Sequence, residues 1–329
     1  MKRLFLLLLP ALLASIAHAE PYVQRAEVRA FVQEMHDRHG FDADALAALF
    51  RQTKPIAAVI KAIMPPKDPA VRSWQAYRGR FVEPRRIAAG RRFMHAHATE
   101  LAAAETRFGV PAEIIAAIIG VETIYGKHMG RFGTFAALTT LAFDYPPRAE
   151  LFRKELEELL LLAREENRNP LSYTGSYAGA LGLPQFLPSS LRRFAIDFDQ
   201  DGRIDLAASP GDAIGSVGNF LATHGWERDA PIAAIVTASG DGVQALLDEG
   251  ITPRRTFREM EAANVSFATA DGDTANPERP AALIDLITPT QPTEYRLGYR
   301  NFYVITRYNR SSFYAAAVMD LAAALRASK

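Results

Sequence analysis

Ile114-Ile115-Ala116-Ala117-Ile118-Ile119-Gly120-Val121-Glu122-Thr123-Ile124-Tyr125-Gly126 is an apolar helical run that closes on a carboxylate. With Ile114 as origin and a step of about 100° per residue, Ile115, Ile118, Ile119 and Val121 fall in an arc from roughly 340° through about 140°. Glu122 falls at about 80°, near the middle of that arc, and Glu113 at about 260°, on the opposite face. The pattern predicts a solvated Glu113 and a Glu122 turned toward the apolar side. Desolvation disfavours the charged form, so a raised pKa is expected for Glu122. A carboxylic acid that stays neutral near pH 7 can act as a general acid. A buried Glu held in a structural salt bridge fits the same spacing.

The N-terminus reads as a secretory signal. Lys2 and Arg3 form its positive region, Leu4 to Leu13 its apolar stretch, and Ala17-His18-Ala19 a small-residue cleavage site that would leave Glu20 first. The apolar stretch is short for a bilayer span, and no later segment resembles one, so no stable membrane insertion is expected. The chain has no Cys, which excludes disulfides and a lipid-bearing cysteine. Of 38 basic and 37 acidic side chains, removing Lys2 and Arg3 leaves 36 against 37. That balance, with no basic run interleaved with aromatics, argues against a nucleic-acid partner.

Most of the chain has helical texture. Ala26 to His39 is ended by Gly40, and Asp42 caps a helix to Arg51. Pro65-Pro66 breaks the pattern, and Trp74 to Arg80 reads as irregular. Pro84 opens one long helix to Phe108, closed by Gly109, and Pro111 opens the Glu122 helix. Arg148 to Asn167 and Asp212 to His224 follow as helices. Ala230 to Tyr299 is broken by X-Pro pairs and holds β-like runs such as Ala281 to Ile287, a small β-rich insertion. Asn309 to Arg326 reads as one final helix.

Gly175-Ser176-Tyr177-Ala178-Gly179-Ala180-Leu181-Gly182-Leu183-Pro184-Gln185-Phe186-Leu187-Pro188-Ser189-Ser190 is the second unusual stretch. Its small residues allow backbone to approach a ligand. Ser176, Tyr177 and Gln185 offer hydrogen bonds and Phe186 an apolar platform, a mix suited to a sugar. A tight structural loop is the other reading. Asp197-Phe198-Asp199-Gln200-Asp201-Gly202-Arg203-Ile204-Asp205 follows the start of an EF-hand loop: acids at the first, third, fifth and ninth positions, Gly at the sixth, and the Arg203 carbonyl at the seventh. The twelfth position is Ala208 rather than a bidentate Glu. A weak structural Ca²⁺ site and a solvated acidic turn both fit.

The Val121-Glu122-Thr123 segment, the Gly-Ser-Tyr-Ala-Gly-Ala to Pro-Ser-Ser segment and Asn301-Phe302-Tyr303-Val304-Ile305-Thr306-Arg307-Tyr308-Asn309 together resemble lytic transglycosylases of the membrane-bound lytic transglycosylase B type. The resemblance runs in order over nearly the whole chain after the signal. It implies a mainly α (α+β) fold: a lysozyme-like core at 106–228 with the EF-hand-like loop, a helical domain at 20–105 completed by 300–329, and a small β-rich domain at 229–299. It implies cleavage of the β-1,4 bond between N-acetylmuramic acid and N-acetylglucosamine in peptidoglycan, with the muramyl C6 hydroxyl closing on C1 to leave a 1,6-anhydro end. Glu122 would serve as acid and then base, with no cofactor for the chemistry. A usual hydrolase needs a second carboxylate, for which Asp144 is the nearest candidate.

By the same resemblance, Tyr77, Phe186, Tyr308 and Tyr314 would stack on sugar faces. Ser176 and Gln185 would donate to acetamido or hydroxyl groups, and Asn309 would orient the acetamido group. Phe220 stands where the family commonly has a tyrosine. The family's longer calcium loop is closed by an acid just before Ala-Ile-Gly-Ser, here Asp212, so Asp197, Asp199, Asp201, Arg203 and Asp212 form the expected ligand set. The implied partners are peptidoglycan strands and cell-wall synthesis or remodelling proteins, for a monomer in the periplasm. A muramidase using water and a non-catalytic peptidoglycan-binding protein are the alternative functions.

Overall fold

The computed structural model describes residues 20–65, 72–263, 265–269 and 278–327; the signal segment lies outside them. The chain divides between Pro55 and Ile56 into two compact units. That division falls inside the 20–105 stretch that the sequence reads as one helical domain.

In the first unit a turn at Tyr22–Gln24 precedes helices α1 (Ala26–His39) and α2 (Ala43–Gln52). Val28, Phe31, Val32 and Met35 recur at helical spacing and are buried. Phe31 meets Phe50 edge to face at 6.1 Å. Gly40 ends α1 at φ 68°, and Asp42 caps α2 by accepting the Ala45 N–H at 2.8 Å.

The second unit begins with α3 (Ala57–Ile63), α4 (Trp74–Phe81), α5 (Pro84–Ala96), α6 (Ala98–Phe108) and α7 (Ala112–Thr123). Strand β1 (Phe132–Gly133), α8 (Thr134–Asp144), α9 (Ala149–Glu165), β2 (Thr174–Gly175), α10 (Pro188–Phe194) and α11 (Pro210–Thr223) follow. Next come β3 (Ala233–Ser239), α12 (Val243–Asp248), α13 (Phe257–Ala262), β4 (Ser266–Thr269), β5 (Ala282–Leu286) and β6 (Glu294–Gly298). Helices α14 (Arg300–Tyr308) and α15 (Ser312–Arg326) close the unit.

Helix α7 is its axis. Every residue from Ile114 to Val121 is buried, so the apolar arc widens to the full circumference, as expected of a helix without a polar face. Helices α5, α6, α11 and α15 surround it. Helix α15 brings the fully buried Ala315, Ala316 and Ala317 to this packing, small side chains that permit a short interaxial distance. Glu113 departs from the solvated reading: its carboxylate is 3.1 Å from Arg326 and its side chain is only 16% exposed.

Three helix boundaries differ from the sequence reading. Trp74 to Arg80 is helical, because Ser73 Oγ accepts the Ala76 N–H and Trp74 packs inward, its indole N–H donating to Glu294 at 3.2 Å. The stretch from Pro84 to Phe108 is two helices that bend at His97 (φ −120°, ψ 33°), whose ring lies on Phe93; no Pro or Gly marks the bend. The final helix starts only at Ser312. Asn309 is extended, and Ser311 caps the new helix by accepting the Tyr314 N–H at 3.3 Å.

The β-rich insertion is an antiparallel sheet in the order β4-β3-β6-β5, with Val236 opposite Tyr295 and Leu283 opposite Leu297. Val236, Leu246, Met260, Val265, Leu283 and Leu297 form its own core. No helix among the described residues is long and apolar enough to cross a membrane.

Candidate active site

Glu122 lies in the last turn of α7. Beyond it the backbone leaves the helix through consecutive left-handed residues, Ile124 (φ 52°), Tyr125 (φ 56°) and Gly126 (φ 88°). Such conformations cost energy for side-chain-bearing residues and persist where the surroundings impose them. Here the surroundings are visible. Tyr125 fills a notch left by Gly90 and Gly120, where a Cβ would stand 2.2 and 2.4 Å from its hydroxyl. The Thr123 hydroxyl lies 2.9 Å from the Leu183 carbonyl and accepts the Gly126 N–H at 3.0 Å. Arg86, buried, donates to the Gly120 carbonyl at 2.7 Å and to the Arg80 carbonyl at 3.1 Å. It thereby ties the end of α7 to the end of α4.

The Glu122 carboxylate keeps part of its surface open to solvent, although packed atoms crowd it. The Tyr314 hydroxyl donates to its Oε1 at 2.7 Å. No described cation pairs with it, which removes the salt-bridge reading. Burial pushes its pKa up to about 7, and the Tyr314 hydrogen bond pulls in the other direction without prevailing. The phenols of Tyr77, Tyr308 and Tyr314 are all pushed up, by burial first and by the Glu122 charge second. Those three tyrosines surround the acid. Tyr308 and Tyr314 stand nearly parallel, 6.3 Å apart at 10°, because the chain breaks between α14 and α15.

The other expected groove residues divide into exposed groups and supports. Tyr308 donates to the Pro184 carbonyl at 2.5 Å, which joins α14 to the 175–190 loop. Phe186 is 2% exposed and Phe220 6% exposed. Their rings lie 5.7 and 4.9 Å from Tyr308, so they back that tyrosine instead of presenting a platform. Gln185 takes φ 52°, and its amide NH₂ donates to the Gly182 and Met129 carbonyls at 2.9 and 3.2 Å. Its carbonyl is therefore the free end, an acceptor where the sequence reading expects a donor. Ser176 Oγ accepts from Ala180 and Ala178 N–H groups and keeps its own proton to donate. Tyr177 is 38% exposed, and Asn309 is exposed at the end of α14. Asp144 ends α8, and no hydrogen bond or ion pair joins it to Glu122.

In the acidic loop, carboxylate oxygens of Asp197, Asp199 and Asp212 lie within 4.8 Å of one another. Asp212, 1% exposed, accepts N–H groups of Phe198 (2.8 Å), Asp205 (2.8 Å) and Asp199 (3.4 Å). Asp201 stands outside that group and accepts the Arg203 N–H at 2.9 Å. An all-oxygen donor set at this spacing fits a hard cation such as Ca²⁺.

Arg86 and Tyr125 escape the sequence reading. Arg86 has no local signal in Pro84-Arg85-Arg86, and Tyr125, inside the opening stretch, gains its role only from two distant glycines.

Residues 23–323 match the family described as the transglycosylase SLT domain. The chain is 37% identical over 313 residues to membrane-bound lytic murein transglycosylase B of Escherichia coli (strain K12), covering 92% of this chain and 84% of that one. Among solved structures it is similar to the soluble lytic transglycosylase SltB1 of Pseudomonas aeruginosa, at 43% identity and TM-score 0.84, covering 92% and 99% of the two chains. It is also similar to the E. coli lytic transglycosylase Slt35 in complex with calcium, at 36% identity and TM-score 0.77, covering 94% of each.

Proposed function

The chain belongs to the transglycosylase SLT-domain family and is a lytic transglycosylase acting on peptidoglycan, and from that premise we propose that Glu122 alone carries its acid–base chemistry. The observation that supports this reading is a carboxyl near neutral pKa with, among the described residues, one hydrogen-bond partner, a phenol, and no ion pair. In its neutral form Glu122 donates a proton to the glycosidic oxygen between muramic acid and glucosamine as the C1–O bond breaks. The substrate's acetamido oxygen stabilises C1, as in substrate-assisted glycosidases. The ionised Glu122, now stabilised by the Tyr314 O–H, accepts the proton of the muramyl C6 hydroxyl as O6 bonds to C1. One bond breaks, one forms, the proton returns to Glu122 and no water is consumed. Tyr77, Tyr308, Ser176, Tyr177, Asn309 and the Gln185 carbonyl form the contact surface for the strand; Tyr314, 3% exposed, is too buried for the expected stacking and acts through its hydrogen bond to Glu122.

The test is mass spectrometry of fragments released from purified sacculi. Products one water lighter than hydrolysis products support intramolecular attack. Reducing ends would mean a muramidase, and binding without release a glycan-binding protein.

Residues 1–19 act in this reading as a signal cleaved before Glu20, which places the mature protein in the periplasm. Asp197, Asp199 and Asp212, with Asp201 and the Arg203 carbonyl, hold a structural Ca²⁺ that pins the loop and takes no part in the chemistry. The calcium complex of Slt35 supports this assignment. Calorimetric titration should show binding at or below millimolar calcium with a rise in Tm; neither signal would defeat the site.

A further inference from the structure

A cavity of about 250 Å³ opens between the start of α4 and the start of α15. Arg72, Tyr77, Arg80, Ser311 and Phe313 are among its walls. Two of its walls lead to Glu122: Tyr77 is within reach of the Glu122 charge, and Phe313 precedes Tyr314, the hydrogen-bond partner of Glu122. Phe313 anchors both flanks, with the Tyr77 ring at 5.6 Å and the Arg72 guanidinium at 4.7 Å from its centroid. Two arginines therefore border one small cavity, and neither forms an ion pair with a described residue. Arg78, on the same helix as Arg80, is instead paired with Asp320 at 2.6 Å. Among the described residues, then, Arg72 just before α4 and Arg80 near its end border the cavity without an ion pair.

We propose that this cavity is a subsite for a carboxylate of the substrate, with Arg72 and Arg80 as the residues that select strands bearing that charge. The proposal rests on the peptidoglycan reading above. Guanidinium groups pair with carboxylates through charge-assisted hydrogen bonds, and the aromatic wall suits the apolar part of the attached group. In peptidoglycan such a carboxylate has two sources: the lactyl group of muramic acid where no peptide is attached, or the stem peptide where one is.

The experiment compares kcat/KM on peptide-bearing strands, on strands stripped of peptide by an amidase, and on stripped strands whose carboxyl groups have been reduced to alcohols. The unaltered protein should prefer a carboxylate-bearing strand over the reduced one. In the Arg72→Gln/Arg80→Gln variant that preference should fall about tenfold, mainly through KM. Arg72→Lys/Arg80→Lys should restore most of it, and added salt should erode it in the unaltered protein. Loss confined to peptide-bearing strands identifies the stem peptide as the source, and loss confined to stripped strands the lactyl group. A variant that keeps the original preference, or loses the same factor on reduced strands, overturns the subsite. If the unaltered protein cuts nothing, the lytic reading falls, and the subsite is judged by the same preference in sedimentation binding.

Discussion

Glu122 and Asp212 are both carboxylates packed at helix ends, and they are built for opposite purposes. Asp212 lies in the first turn of α11, where the helix's partial positive charge suits an anion, and accepts three backbone N–H groups. Glu122 lies at the last turn of α7, where the partial charge is negative, and accepts one phenol O–H. The first arrangement gives the carboxylate three donors and fastens a loop. The second leaves a carboxyl poised between its two protonation states. Burial does not decide a carboxylate's role; the end of the helix and the number of donors do.

The largest test of this contrast is Glu122→Gln, which should reduce fragment release from sacculi by about a thousandfold or more while sedimentation with sacculi is unchanged. Activity within tenfold of the unaltered protein would break the contrast at once. Next in size, Asp212→Ala should cost about 3 kcal/mol, seen as a lower Tm, because several buried N–H groups lose their acceptor. Asp212→Asn should cost less, since one oxygen acceptor remains.

The third test reads stability against pH. A carboxyl whose folded pKa is raised to about 7 from an ordinary 4.5 binds more protons folded than unfolded between those values. Its contribution therefore becomes unfavourable as pH climbs through that window and stays so above it. Glu122→Gln removes the penalty, so the variant should gain about 3 kcal/mol relative to the unaltered protein at pH 8 and nothing at pH 4. Denaturant titrations at the two pH values check this; equal stability at both would mean that Glu122 is not desolvated in solution.

The smallest effect is expected from Tyr314→Phe. Without the O–H, the ionised form loses its one donor, so the Glu122 pKa rises further. The alkaline limb of the activity profile should move to higher pH, and kcat should drop by about tenfold. An unmoved limb would detach Tyr314 from the acid.

Much of this was legible from residues alone. The acid stood out because an apolar run ended in a Glu, and the helix ends at Gly40, Asp42 and Gly109 carried their own signals. What stayed hidden depends on distant partners. Phe186 looks like a platform in a Gly-rich loop until Phe220 and Tyr308 cover it. Trp74 to Arg80 looks irregular because its aromatic and basic residues serve Phe313, Glu294 and Asp320, more than 200 positions away. The break before α15 was written in Ser311 as a cap, but a run of Ala masked it.

The bond between Glu122 and Tyr314 spans 192 residues, so α15 leaves the ribosome long after α7. The acid is therefore made early and conditioned late: a nascent chain holds Glu122 long before it holds the phenol and the alanine face that enclose it. A chain ending before Ser312 should bear Glu122 and yet be inert, measurable as loss of fragment release. A lytic enzyme built this way has its acid long before it has the partner of that acid.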